Sequence, residues 1–364
     1  MTRAGCRQNR FARHLTHWRS QGVTDPFSDG ILVRVVSTSA GNAFPTSAER
    51  TDERPRVLYL GGLGRSGTTV LERVLGELPG TCSVGELVHL WQRGVLDDET
   101  CGCGEPFSRC PFWTEVGQRA FGGWDPALAA RMEELRPRID RTRFIPKLIV
   151  PRLLGRHRAE LREYVGTFLR LYRAIAEASG GAVVIDSSKH SSLAFCLRTE
   201  PGIDLRVVHV VRDSRGVAYS WTKEVRRPEA TAEEALMTRY SPSRSSALWL
   251  GHNLFLGLLG RLGTRTRLLR YEDFVSDPRA VLTELADFAD VPSGDDALHF
   301  LSESSVLLSP SHTVAGNPMR FRTGPTPLRR DDAWREKLPR GRRVLVSVLT
   351  APLLARYGYL RRGR

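Results

Sequence analysis

Apolar positions along this chain fall into short continuous runs that alternate with longer helical repeats. Arg56-Val-Leu-Tyr-Leu-Gly61 is a brief apolar run closed by glycines, the pattern of a buried strand. Gly61-Gly-Leu-Gly-Arg-Ser-Gly-Thr-Thr69 follows as a turn, and Val70, Leu71, Val74, Leu75 and Leu78 then recur at helical spacing until Pro79-Gly80. Thr81 to Val84 reads as a short strand-like segment. A long helix is predicted over about 157–179, with a strand at 182–186 behind it. Leu205 to Val211 is β-branched and continuous, as a central parallel strand should be. Thr266 to Arg270 is a further strand, followed by a helix over about 278–289. Strands alternating with helices give an α/β fold: a P-loop-type central parallel β-sheet flanked by helices, in a single domain with helical insertions near 94–156 and 227–262.

The first 54 residues break this rhythm. They are Arg-rich and irregular, and their apolar stretch, Ile31 to Val36, is interrupted by Arg34. The expectation is a poorly ordered extension over 1–54, or the product of an upstream start site, ahead of a domain at 55–364. No run approaches the roughly 18 apolar residues of a membrane span, so a soluble cytoplasmic protein is the default expectation.

The glycine turn carries the first chemical signal. Between a strand and a helix, such a loop aims backbone N–H groups and a helix N-terminus at an anion. Gly62 and Gly67 have the spacing of a nucleotide-binding loop, but Thr68 stands where the Walker lysine would be. The cation has moved to Arg65. A nucleoside triphosphate needs that lysine and a magnesium ligand, whereas a less charged phosphosulfate can do without a metal. A turn that only packs helix on strand would place small apolar residues where Arg65-Ser66 and Thr68-Thr69 stand.

Charge alters the picture little. The net charge is +14, and 50 of the 54 basic residues are arginine. This favours acidic partners, but no aromatic-interleaved basic patch or nucleic-acid-binding signature accompanies it, so nucleic acid is not expected as a partner. With so much arginine, each of the four lysines draws notice.

At Gly64-Arg-Ser-Gly-Thr-Thr69 the chain resembles the 5′-phosphosulfate loop of sulfotransferases that use 3′-phosphoadenosine-5′-phosphosulfate (PAPS). The arginine form is that of the carbohydrate and tyrosylprotein branches. Val211-Arg-Asp-Ser-Arg-Gly-Val-Ala-Tyr-Ser220 resembles the family's 3′-phosphate motif, an arginine followed eight residues later by a serine. Arg270-Tyr-Glu-Asp-Phe274 and Gly316-Asn-Pro-Met-Arg-Phe-Arg322 resemble later segments of bacterial members, so the likeness runs over roughly 56–340. The resemblance implies a bacterial transferase with PAPS as co-substrate, held by Arg65, Ser66, Gly67, Thr68, Thr69, Arg212 and Ser220. Arg320 and Arg322 are expected to close over the nucleotide, although the family's usual Arg-Lys-Gly form is missing there. Ser309, Ser311 and His312 are further candidates for the same pocket. No aromatic residue is assigned to stack on adenine, although Trp221 is one residue past Ser220.

Sulfuryl transfer needs a base for the acceptor proton and cations for the leaving oxygen. Glu86, in Ser83-Val-Gly-Glu86-Leu, follows Arg65 past one helix and one short strand, a path that returns it to the loop's edge of the sheet. The resemblance supports it as base, with His89 the alternative; an acidic residue favoured at a helix N-terminus is the plainer reading. Lys189, in Asp186-Ser-Ser-Lys189-His190, is read in a turn past the 182–186 strand. It is taken with Arg65 as a catalytic cation, and His190 beside it as a weaker candidate. The acceptor is a small-molecule, glycan or lipid hydroxyl, and the arginine excess leaves room for a lipid-linked acceptor met at a membrane surface. Competing readings are a P-loop kinase or nucleotide hydrolase, and a non-catalytic nucleotide-binding protein.

Six cysteines remain, three of them in Cys101-Gly-Cys103-Gly-Glu-Pro-Phe-Ser-Arg-Cys110. Zinc would need a fourth ligand, for which Cys82 and His89 are the neighbours in sequence. The spacing fits no common zinc motif. A structural loop with reduced thiols or one disulfide is the preferred reading, and no residue is assigned to a metal.

Overall fold

The computed structural model describes residues 54–155, 157–226 and 236–360. The expected extension lies outside the described residues except for Arg54, as does the part of the second insertion at 227–235. Five strands, β1 (Arg56–Gly61), β2 (Thr81–Gly85), β3 (Val183–Lys189), β4 (Asp204–Val211) and β5 (Arg265–Arg270), form one sheet in the order β2-β3-β1-β4-β5. Every neighbouring pair is parallel. Between β1 and β2 runs α1 (Thr68–Leu75). The first insertion holds α2 (Pro111–Phe121), α3 (Pro126–Ile139) and α4 (Ile145–Ile149). Next come α5 (His157–Ala178), α6 (Ser191–Leu197), α7 (Ser214–Thr222) and α8 (Pro242–Arg261). After β5 follow α9 (Tyr271–Ser276), α10 (Pro278–Ala289), a hairpin of β6 (Ser305–Leu308) and β7 (Gly324–Pro327), then α11 (Trp334–Lys337) and α12 (Arg340–Arg356). This is the α/β sheet flanked by helices that the alternation of elements implied.

Both faces of the sheet are covered, which explains why its central strands read as unbroken apolar runs. Val57, Tyr59, Val184 and Val207 face a core built with α5 and α6. Leu58, Leu60, Ile185, Val208 and Val210 face the other side, against α1 and α10. A third apolar group joins Leu63 of the glycine loop to Val217, Trp249, Leu353 and Tyr357. The loop therefore has a packed floor beneath it.

One element corrects the sequence reading. β3 does not end at Asp186 but continues through Lys189, and all seven of its residues are buried. Its polar side chains are satisfied inside the fold. Tyr172 Oη donates to Asp186 Oδ2 at 2.6 Å, and Val88 N–H donates to Ser188 Oγ at 2.9 Å. Ser187 Oγ donates to Glu72 Oε2 at 2.6 Å. A polar tetrapeptide that looks like a turn is thus a strand end whose hydrogen bonds tie neighbouring elements together.

Candidate active site

All five strands of the sheet point the same way, so the residues after their carboxyl ends meet along one edge, where α/β sheets bind ligands. Register fixes this closely: Gly61 lies opposite Lys189 on one side and His209 on the other. The cleft along that edge has a volume of about 780 Å³ and is lined by Arg65, Gly67, Thr68, Thr69, Glu86, Lys189, Arg212 and Ser220 among others. A second hollow of about 670 Å³ lies by Arg56, Asp204 and Arg265, at the amino ends of their strands. None of the motif residues lines it.

The glycine loop has the backbone its composition suggested. Gly67 sits at φ 87°, and a Cβ there would come within 2.2 Å of the Tyr271 ring. Only glycine meets both conditions. Arg65 also adopts a left-handed conformation, φ 74°, and Lys189 does so at φ 70°. Non-glycine residues are held this way at a cost, and such positions gather at functional sites. The loop is anchored by Gly62 N–H donating to Lys189 O at 3.1 Å, and by Trp221 Nε1 donating to Gly64 O at 3.0 Å. Ser66 is buried and, unlike its neighbours in the loop, does not line the cleft.

Glu86 and Lys189 form an ion pair through Glu86 Oε1, with the two side chains 15% and 11% exposed. His89 Nε2 lies 3.8 Å from the other carboxylate oxygen. Glu86 is held by its backbone, whose N–H donates to Val314 O at 2.9 Å. Gly316, at φ 103°, leaves room beside it: a Cβ there would lie 2.8 Å from Glu86 Oε1. His190 and His252 complete this end of the cleft. Burial lowers the pKa of both, that of His252 to about 4, so both are neutral near pH 7.

Arg212 stands at the other end. One guanidinium nitrogen donates to Arg65 O at 3.1 Å, and the other pairs with Asp331 at 3.2 Å. Its guanidinium also sits 4.9 Å from the Tyr271 ring centroid. Lys223 approaches the same Asp331 oxygen at 3.4 Å. Two cations thus share one carboxylate oxygen at this end of the cleft. Glu272 supports this end from beneath, accepting from Asp213 N–H at 3.1 Å. Trp221 lines the cleft, but its ring is already stacked on Tyr240, with centroids 4.3 Å apart.

Five candidates fall elsewhere. Arg320 is buried at 1% exposure, donating to Thr313 O at 2.8 Å and Thr100 O at 2.7 Å, so it clamps two chain segments and does not close over the cleft. Arg322 is exposed and offers its carbonyl to Arg73 at 3.2 Å. Ser309 bonds Glu77, while Ser311 and His312 lie beside the cysteine cluster. Neither proposed fourth ligand joins that cluster: Cys82 lies in β2 near Ser179, and His89 lines the cleft.

Glu72 is the residue that sequence reasoning missed. On α1, it reads as an ordinary helix-surface acid, yet it is 2% exposed. Its carboxylate accepts from Ser83 Oγ, Gly85 N–H and Ser187 Oγ, tying the loop's helix to the strand ends that carry Glu86 and Lys189. Burial raises its pKa to about 7. A raised carboxyl favours the protonated form in the fold. Its contribution to stability is therefore full below about pH 4.5, the ordinary glutamate value, and fades as pH rises through 7. Glu72→Gln, which mimics the neutral form, should raise the melting temperature relative to the parent at pH 8 and lose that advantage at pH 5. Calorimetric melts at the two values check this. His190, His252 and Asp186 titrate in both proteins and cancel in the difference. An offset equal at both pH values would rule out the assignment.

No family model matches the chain, and no curated protein matches it. Solved structures do. The sulfotransferase domain from the Synechococcus PCC 7002 olefin synthase is 21% identical, covering 82% of this chain and 96% of that one, with a TM-score of 0.45. The sulfotransferase domain from the curacin biosynthetic pathway is 15% identical over 82% of this chain and 98% of its own, with a TM-score of 0.43. Sulfotransferase STF9 from Mycobacterium avium is 15% identical over 85% and 78%, also with a TM-score of 0.43.

Proposed function

We propose that this chain transfers a sulfuryl group from PAPS to an acceptor hydroxyl. The observation that carries the reading is that Arg65, Glu86, Lys189 and Arg212, drawn from the ends of four parallel strands, line one cleft. The motif likeness at 64–69 and 211–220 supplies the identity of the donor.

Each residue then has a task. Backbone N–H groups at Gly67 to Thr69 and the start of α1 hold the 5′-phosphosulfate, with Arg65 as its cation. Arg212 and Ser220 hold the 3′-phosphate, and Arg suits this because its planar fork matches phosphate oxygens. Glu86 takes the proton from the acceptor hydroxyl as its oxygen bonds to sulfur. The bond between sulfur and the bridging oxygen breaks in the same displacement, and Lys189 stabilises the charge that collects on the departing phosphate. The sulfated acceptor and adenosine 3′,5′-bisphosphate are the products, and the proton stays on Glu86 until water removes it.

The Glu86–Lys189 pair serves both halves of this step. It holds the base and the cation in place before substrate arrives, so little reorganisation is left for the reaction itself. The end of the cleft lined by His89, His190 and His252 is the acceptor's side.

The test is turnover of PAPS in magnesium-free buffer against a panel of sugar, phenol and lipid-linked alcohols. Release of adenosine 3′,5′-bisphosphate with sulfation of an acceptor is expected. Magnesium-dependent turnover of ATP, with none of PAPS, would favour the kinase or hydrolase reading instead.

A further inference from the structure

The cysteine cluster is the strongest unassigned feature outside the cleft. Cys101, Cys103 and Cys110 come from the first insertion, and His312 comes from a segment some 200 residues later. Their ligand atoms all lie within 4.8 Å of one another. Cys110 Sγ is 3.2 Å from His312 Nδ1 and 3.7 Å from Cys103 Sγ, and Cys101 Sγ is 4.0 Å from the same nitrogen. A tetrahedron with bonds near 2.3 Å has edges of about 3.8 Å, and zinc takes three thiolates and one imidazole in that shape. A disulfide between Cys103 and Cys110 would need its sulfurs at about 2.05 Å.

The backbone around the cluster is built to hold four ligands. Gly104, at φ 96°, closes a turn in which Cys101 N–H donates to Glu105 O at 2.8 Å. Gly102 lets the two segments meet, since a Cβ there would lie 2.5 Å from Thr313 Oγ1 and 2.7 Å from Ser311 O. The His312 ring is stacked on Phe112, with centroids 5.0 Å apart, and Trp113 Nε1 donates to His312 O at 2.8 Å. The stack packs one face of the imidazole, and the hydrogen bond fixes the backbone that carries it. Arg320 fastens the same two segments just beyond the cluster.

We propose that Cys101, Cys103, Cys110 and His312 bind one zinc ion that locks the 311–316 segment to the first insertion. Four protein ligands fill a tetrahedral shell and leave no open position, so the ion is structural. Its consequence reaches the cleft. Two residues past His312, Val314 pairs with Val84 and with the backbone of Glu86, and Gly316 borders the Glu86 carboxylate. The ion therefore secures the wall against which Glu86 rests.

The experiment uses the full chain, expressed without a histidine tag. Elemental analysis should find one equivalent of zinc, and a strong chelator should remove it and lower the melting temperature by about 5 °C or more. Substituting cobalt should give the visible d–d absorption of a tetrahedral thiolate site. His312→Ala should lose most of the metal, while His312→Cys, which still offers a ligand, should keep it. That second variant separates loss of a ligand from general misfolding. A wild-type protein without stoichiometric zinc, whose melting ignores the chelator, would overturn the proposal. So would a Cys103–Cys110 disulfide found by mass spectrometry of the freshly purified chain.

Discussion

Glu86→Gln should lower kcat for sulfuryl transfer by about 10²–10⁴-fold, the usual contribution of a positioned base. Binding of adenosine 3′,5′-bisphosphate should change little, because the proposed phosphate contacts are at the glycine loop and at Arg212. The substitution also removes the partner of Lys189, whose side chain is only 11% exposed. An unpaired cation at that depth is costly, so the variant should melt earlier. Glu86→Gln combined with Lys189→Gln isolates the stability effect: removing both charges should restore the melting temperature, while activity stays low because Lys189 is proposed to act in the same step. The fall in kcat is therefore read from Glu86→Gln alone, at a temperature well below its melting, where a lost base and not unfolding sets the rate.

Arg212→Ala should weaken binding of the bisphosphate by about 100-fold, the loss expected when a charge-assisted pair of hydrogen bonds to phosphate disappears. This is the largest expected effect on affinity. Arg212 also braces the loop through Arg65 O, so part of its effect could come from a displaced loop. Ser220→Ala provides the comparison. Ser220 lines the cleft and braces nothing in the loop, so its loss should be about 10-fold, in line with one hydrogen bond to a charged group. Arg212→Lys keeps the charge but not the fork, and should fall between the two.

The strand, loop and helix over 56–75 were legible because an unbroken apolar run, a glycine cluster and a helical repeat follow one another in the chain. The helix at 278–289 was legible too, with Asp277 capping it through Ala280 N–H and Pro278 opening it. Convergence of Arg65, Glu86, Lys189 and Arg212 followed from the parallel sheet, since Arg65, Glu86 and Arg212 stand past the ends of strands and Lys189 closes one. What escaped was polar chemistry inside the fold. Ser187 and Ser188 read as turn residues because nothing local shows that Ser187 will donate to Glu72 and that Ser188 will accept from Val88 N–H. Arg320 looked like an anion ligand because its two carbonyl partners, Thr100 and Thr313, lie elsewhere in the sequence. His312 escaped the cysteine cluster for the same reason. Its separation from Cys110 has no local spacing to detect, and the segments meet only when Val314 adds to the edge of β2.

The most direct measurement is calorimetric binding of adenosine 3′,5′-bisphosphate in magnesium-free buffer, to the wild-type chain and to Arg212→Ala. Micromolar binding that collapses in the variant is the expected result, and it would tie the nucleotide to the cleft. An absence of binding by the wild type, or binding that needs magnesium and ignores Arg212, would contradict the assignment of a PAPS site.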